Sequence, residues 1–185
     1  MSAKPRIDRA ALELFTTRGF DAATTREIAA AAGVSEGAIY RHYKGKEELA
    51  VALFLSLHKR MATLIQDAAT AAPDFPSKVR AIVETYCQVA DEDWLLFSFH
   101  LLSLHRFLPY YEEDGQDPVS ITTKLIKLAQ ALDELPPGDP ELYAGMALGV
   151  VTQTAQNKAY GRLKGPLSDH AQALGTAVLA VLTTR

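Results

Sequence analysis

The chain has 185 residues, 48% of them hydrophobic, 22% charged and 8% aromatic, which excludes a disordered or fibrous protein and leaves enough material for a real core. Apolar runs such as Trp94 to Phe99 break well short of the roughly 20 residues that span a bilayer, and one cysteine, Cys87, excludes a disulfide framework or a paired-cysteine zinc site. The net charge of −3 conceals an asymmetry: residues 1–46 hold eight Lys and Arg against five acids, so this quarter is basic while the remainder is acidic, as if one end met a polyanion.

No stretch alternates apolar and polar residues as a half-buried strand does; the periodicity is helical throughout, and an all-α protein of about nine helices is expected. Met1 to Arg6 lead directly into a charged amphipathic segment with no apolar signal region, so the expectation is a cytoplasmic location without a membrane partner. The first helix runs from about Arg6 to Arg18, with Ile7, Ala11, Leu14 and Phe15 on one face and Gly19 at its end. Thr24-Thr25-Arg26-Glu27 is a capping box that opens a second helix, which ends at Gly33. Ser35 caps a third helix over Glu36 to Tyr43, and Lys44-Gly45-Lys46 precedes a long fourth beginning near Glu47. Pro73 and Pro76 stop that helix. Ser77 to Ala90 forms the fifth, and an aromatic-rich sixth reaches Phe107. Pro109 to Pro118 reads as a loop, Val119 to Leu132 as helix, and Pro136-Pro137-Gly138-Asp139-Pro140 as the clearest break. Helices over Glu141 to Leu163 and Ser168 to Leu182 complete the chain, which divides near residue 46 into 1–46 and 47–185.

Residues 24–43 carry the sharpest pattern. Gly33 supplies a tight turn, Ala29 allows close approach, and Ile28, Val34 and Ile39 fill the wedge between two short helices. This is the spacing of a helix-turn-helix whose second helix enters a major groove, although a purely structural helical hairpin shares the periodicity. The outer face carries the chemistry that favours nucleic acid. Gly37 and Ala38 leave the third helix tip almost bare, and Tyr40, Arg41, His42, Lys44 and Lys46 follow as donors suited to phosphate. Thr24, Thr25 and Arg26 place hydroxyls and a guanidinium at a second helix N-terminus, where the helix dipole favours an anion.

With these residues, the chain resembles the TetR family of bacterial transcriptional regulators. The matching blocks are Ala11-Leu12-Glu13-Leu14-Phe15 with Gly19-Phe20, Thr24 to Ala29, Ala32-Gly33-Val34-Ser35, and Gly37 to Lys44 with Lys46-Glu47-Glu48-Leu49. The resemblance covers roughly residues 5–50. It implies an N-terminal helix-turn-helix DNA-binding domain and a C-terminal ligand-binding and dimerisation domain. It further implies phosphate contacts from Thr25, Tyr40, His42 and Lys46, a capping role for Thr24, and base proximity for Arg26, Ser35, Glu36, Gly37, Ala38 and Arg41. Arg26 and Arg41 suit bidentate readout of guanine. The implied partners are a palindromic duplex operator, a second copy of the chain and a small effector, with the chain acting as a repressor.

Beyond residue 50 the reading is compositional. Gly145, Leu148, Gly149 and Thr152, with Leu174, Ala177, Val178 and Val181, form small or apolar stripes suited to a four-helix dimer interface, although part of such a stripe also serves as core. Tyr86, Trp94, Phe97, His100, Leu101, Phe107, Tyr111 and Tyr143, with Gln153 and Gln156, are the candidate walls of a pocket for a small, largely apolar or aromatic molecule; aromatic residues at helical spacing also make plain core. No cofactor or metal motif is present, and an enzyme is not expected. Cys87 has no sequence-level pairing with His100 or His105, and Asp91-Glu92-Asp93 points in divergent directions. A binding or scaffold protein with a silent helix-turn-helix is the alternative.

Overall fold

Apolar residues recur at helical spacing along the chain, and in the computed structural model, which describes residues 2–111, 115 and 117–184, they form ten α-helices with no strand among the described residues. These are α1 (Ala3–Arg18), α2 (Thr25–Ala32), α3 (Glu36–Tyr40), α4 (Lys46–Ala71), α5 (Phe75–Glu92), α6 (Trp94–Leu102), α7 (Leu104–Phe107), α8 (Pro118–Ala131), α9 (Pro140–Ala159) and α10 (Ala171–Thr183). Short 3₁₀ turns cover Leu108–Tyr110 and Leu167–His170. Glu112, Glu113, Asp114 and Gln116 of the expected 109–118 loop lie outside the described residues.

Several boundaries differ from the expected ones for local reasons. Helix α3 ends at Tyr40 because the N–H groups of His42 and Tyr43 both turn back to the Ile39 carbonyl, each at 2.9 Å. Ser35 occupies the N-cap position of α3 without a side-chain capping bond. Asp74, rather than Ser77, caps α5: its carboxylate accepts from the Ser77 N–H at 2.8 Å. The aromatic segment splits at Ser103, whose N–H is shared between the carbonyls of Phe99 and His100. Helix α9 stops at Ala159 because Gly161 takes φ 71°, letting the Arg162 N–H close on the Asn157 carbonyl at 2.8 Å.

Packing divides the chain into two compact units, and not by a single cut at residue 46: one comprises residues 1–57 and 95–111, the other 58–94 and 112–185. The first gathers Ile7, Leu12 and Phe15 of α1, Ile28 of α2, Ile39 of α3 and Leu49, Leu53 and Phe54 of α4 around Phe99 and Phe107. Phe15 stacks on Phe99 with ring centroids 5.7 Å apart, and Phe107 lies 5.9 Å from Phe54. Three short helices alone bury little apolar surface, so α6 and α7 complete this core.

In the second unit α10 packs on α5 and α9, and α9 packs on α8. A Cβ on Gly175 would lie 3.5 Å from Arg80 Cγ, so α10 approaches α5 closely there. Asp91, at the end of α5, accepts hydrogen bonds from the Leu167 and Ser168 N–H groups and the Ser168 hydroxyl at 2.8, 2.9 and 2.6 Å. It thereby ties α5 to the turn that leads into α10. No described helix is long and apolar enough to cross a membrane.

Candidate nucleic-acid interface

The start of α2 is built by reciprocal capping. The Glu27 N–H donates to Thr24 Oγ1 at 3.2 Å, while the Thr24 N–H and hydroxyl donate to Glu27 Oε2 at 3.1 and 2.8 Å. Those bonds hold the Glu27 carboxyl below its ordinary range, and Arg18 adds an ion pair at 2.8 Å. At the other end Gly33 takes φ 63°, ψ 41°, and the Val34 N–H returns to the Ala29 carbonyl at 3.0 Å. The chain reverses and α3 begins three residues later.

Acidic and cationic groups on this face are treated differently. Thr25 donates its hydroxyl to Glu36 Oε1 at 2.8 Å, linking α2 to α3 and engaging a carboxylate that would otherwise repel phosphate. Asp21 takes a two-pronged ion pair from Arg106 at 3.0 and 3.1 Å. Arg26 and Arg41 are exposed, and their guanidinium groups make no ion pair or hydrogen bond with any described residue. Tyr40 is 55% exposed, and His42, Lys44 and Ser35 also face solvent. The expected bare tip splits in two. Gly37 faces open space, with nothing within 4 Å of a Cβ built on it, whereas Ala38 is buried and turns its methyl inward.

Two residues near this face have structural partners that sequence reasoning did not foresee. Lys46 Nζ donates to the carbonyls of Phe20, Asp21 and Ala23 at 3.1, 2.9 and 2.9 Å. Tyr43 is buried, and its hydroxyl donates to Asp8 Oδ1 at 2.6 Å, with Lys4 bonded to the same carboxylate. Backbone acceptors leave no trace in residue identity, and Arg106 lies 85 positions from its partner Asp21, so no local signal revealed either contact.

The residues expected to wall a ligand chamber are divided between the two units. Phe107 packs in the core of the first unit, His100 stacks on Phe54 at 4.6 Å, and Phe97 and Leu101 are also buried in that unit's stretch of chain, with Tyr111 half-buried. In the second unit Lys158 lies over the Trp94 ring at 4.7 Å, and Tyr86 is buried, which pushes its hydroxyl pKa up. Tyr143 lies against Gly138 so closely that a Cβ there would come within 2.8 Å of its ring. Gln153 is exposed and Gln156 half-buried. Large aromatic surfaces are satisfied by core packing, which outcompetes lining a void.

A cavity of about 60 Å³ instead lies among α5, α8, α9 and α10, walled by Val79 and Val83, Leu125 and Ile126, Ala147, Leu148 and Val151, and Val178 and Leu182. Thr122 also borders it, but its hydroxyl donates to the Pro118 carbonyl at 2.8 Å, and Lys78 supplies the one cation of the lining. None of the expected ligand residues lines this cavity. Two residues expected at the dimer interface, Leu148 and Val178, do. Of the other expected interface residues, Leu174 is buried, Thr152 and Val181 are half-buried, and Gly145, Gly149 and Ala177 are exposed. Cys87 is fully buried, which pushes its thiol up to about 11 and argues against a nucleophile. Among the described residues, no group of three or more His, Cys, Asp or Glu stands close enough to hold a metal ion.

Comparison with known proteins places this geometry. Residues 7–53 match the model for bacterial regulatory proteins of the tetR family. The transcriptional activator FasR of Mycolicibacterium smegmatis is 33% identical over 84 residues, 45% of this chain; the match covers 38% of FasR, well under two thirds of its length. A tetR-family regulatory protein from Rhodococcus RHA1 superposes with TM-score 0.78 at 25% identity, covering both chains entirely. FadR from Bacillus subtilis, solved in complex with stearoyl-CoA, superposes with TM-score 0.84 at 18% identity over 97% of this chain and 99% of FadR. Capped α2, left-handed Gly33 and short α3 all stand within residues 7–53, and that segment is a helix-turn-helix head of the tetR family of bacterial regulatory proteins.

Proposed function

We propose that the chain is a ligand-responsive transcriptional repressor, which binds a palindromic duplex operator as a homodimer and is released by a small, largely apolar or aromatic effector. The observation that carries the DNA-binding part is the division of charge around α2 and α3: Glu27, Glu36 and Asp21 are engaged by neighbours, while Arg26 and Arg41 are not. Such a face offers cations to phosphates and bases without competing carboxylates. Arg26 and Arg41 read base edges beside Ser35 and Gly37, and Tyr40, His42 and the start of α2 at Thr24 and Thr25 meet the backbone.

The effector enters the apolar cavity of the second unit. FadR's stearoyl-CoA supports a hydrocarbon chain as one such molecule. At about 60 Å³ the cavity is smaller than the roughly 150 Å³ void that admits benzene, so any effector of several carbons must spread its helices. Helices α9 and α10 form two of its walls, and their outward residues Gly145, Gly149 and Ala177 carry the dimer contact in this reading. Ligand binding thus alters the dimer geometry, and the ligand binds the DNA-incompetent state more tightly, as any shift of the equilibrium requires.

Selection of duplexes from a random pool, followed by salt titration of the winners, tests the reading. The logarithm of affinity should fall steeply with the logarithm of salt concentration. Arg26→Ala should cost about 1–3 kcal/mol and relax preference at one base position. A chain that shows no salt-dependent grip on any duplex is not a DNA-binding regulator. An Arg26→Ala variant that loses affinity equally for all sequences has lost a backbone contact, not a base contact.

A further inference from the structure

We infer that Lys46 and Arg106 are positioning residues for duplex docking: together they clamp the α1–α2 turn that sets Thr24, Thr25 and Arg26, and neither touches phosphate. The inference rests on the DNA-binding reading above. The family resemblance assigns Lys46 to a phosphate, but the geometry points elsewhere. An ammonium group has three N–H donors, and those of Lys46 meet the carbonyls of Phe20, Asp21 and Ala23. A phosphate would have to displace a carbonyl, an exchange that leaves a backbone acceptor without its partner and returns little.

Arg106 grips the same turn from α7. Its guanidinium forks onto both carboxylate oxygens of Asp21 and lies 4.6 Å from the centre of the Phe20 ring, the same ring that Lys46 Nζ approaches at 4.9 Å. Phe20 in turn packs against Phe15 and Phe107, with ring centroids 5.2 and 5.6 Å away. The turn is therefore held by side chain, backbone and ring at once, and its next residue is Thr24, the cap of α2. The Asp21 carboxylate is largely exposed, at 82%. Left alone it would repel an approaching backbone phosphate; paired with Arg106 it does not. Arg106 thus acts on the duplex through Asp21, with the fork of its guanidinium already committed to that carboxylate.

Affinity for a mixed-sequence duplex, measured across a salt series for the full chain and for Lys46→Met, Arg106→Gln, Asp21→Asn and the double variant, tests this. Lys46→Met should weaken binding about tenfold with an unchanged salt slope; a slope flattened by about 0.9 would mark a lost phosphate contact and overturn the inference. Arg106→Gln should weaken binding several-fold in the unaltered chain and much less beside Asp21→Asn, where only its contact with the Phe20 ring remains to be lost. Equal losses in both backgrounds would show that Arg106 reaches the duplex itself and would likewise overturn it. Amide exchange supplies an arm that needs neither DNA nor a stable Lys46→Met head. Arg106→Gln should accelerate exchange at residues 20–27 and leave the rest of the first unit protected, and unchanged exchange there would refute the clamp. Loss of all duplex binding by the unaltered chain would instead count against the regulator reading, while the exchange result still judges the clamp.

Discussion

Gly33 shows how much a single residue carries in this head. Its φ of 63° lies in the left-handed region, where a side chain costs roughly 1–2 kcal/mol through contact between Cβ and the backbone. Space is not the constraint: a Cβ there would meet only the Arg6 guanidinium, at 3.7 Å. Gly33→Ala should therefore destabilise the chain by about 1 kcal/mol, read as a lower urea midpoint with an unchanged slope. A neutral result would mean that the turn tolerates another conformation and that the angle between α2 and α3 is not fixed there. Thr24, Glu27 and Gly33 were legible in the sequence because caps and left-handed turns are chosen by residue type within a few positions. Lys46 was legible only as a cation, since the three carbonyls that hold it belong to no particular residue type.

Among the elements, the α5–α10 junction turns on Asp91. Burial alone would raise its carboxyl pKa, but the hydrogen bonds from Ser168 and from the Leu167 N–H outweigh that and hold it below the ordinary carboxylate value. A depressed folded value means that the contribution to stability is present above the unfolded pKa of about 3.9 and is lost as pH falls through the folded value. Asp91→Asn should cost about 1–2 kcal/mol at neutral pH, allowing for the partial exposure of the site, and should shrink the loss of stability on acidification below about pH 4. Thermal unfolding at pH 7 and pH 3 checks both; equal losses at the two pH values would show that the carboxylate's charge plays no part. The sequence places Asp91 in an acidic run at a helix end, which suggests a dipole effect, whereas its actual partners lie 76 and 77 positions away. The same distance problem hid the role of α6 and α7. Their aromatic residues read equally as pocket walls or as core, whereas Phe99 and Phe107 pack against α1 and α4, and no local pattern names a helix's neighbour.

At the scale of the whole molecule, the exposed glycines of α9 pose a question of energy. Gly145 and Gly149 lie inside a helix, where each costs about 1 kcal/mol relative to alanine, and neither has a neighbour among the described residues that a Cβ would touch. Around them Leu142 and Met146 are 60% and 40% exposed. A close approach of a second copy would repay the glycines and cover the apolar residues, whereas the single chain gains nothing from either. Gly149→Arg should therefore leave the thermal midpoint of the isolated chain unchanged or slightly raised, because arginine is the better helix former. The same variant should shift the sedimenting species from dimer to monomer and weaken operator binding about a hundredfold, because two linked half-site contacts become one. Loss of folding would contradict the open space around Gly149, and a dimer that survives the arginine would place the interface on another face. Ala147, Leu148 and Val151 face the cavity from this same helix, so a dimer built on Gly145 and Gly149 would share one rigid element with the effector site. Displacement of α9 by a few tenths of an ångström on one side is then felt on the other, because a close-packed helix moves as a body.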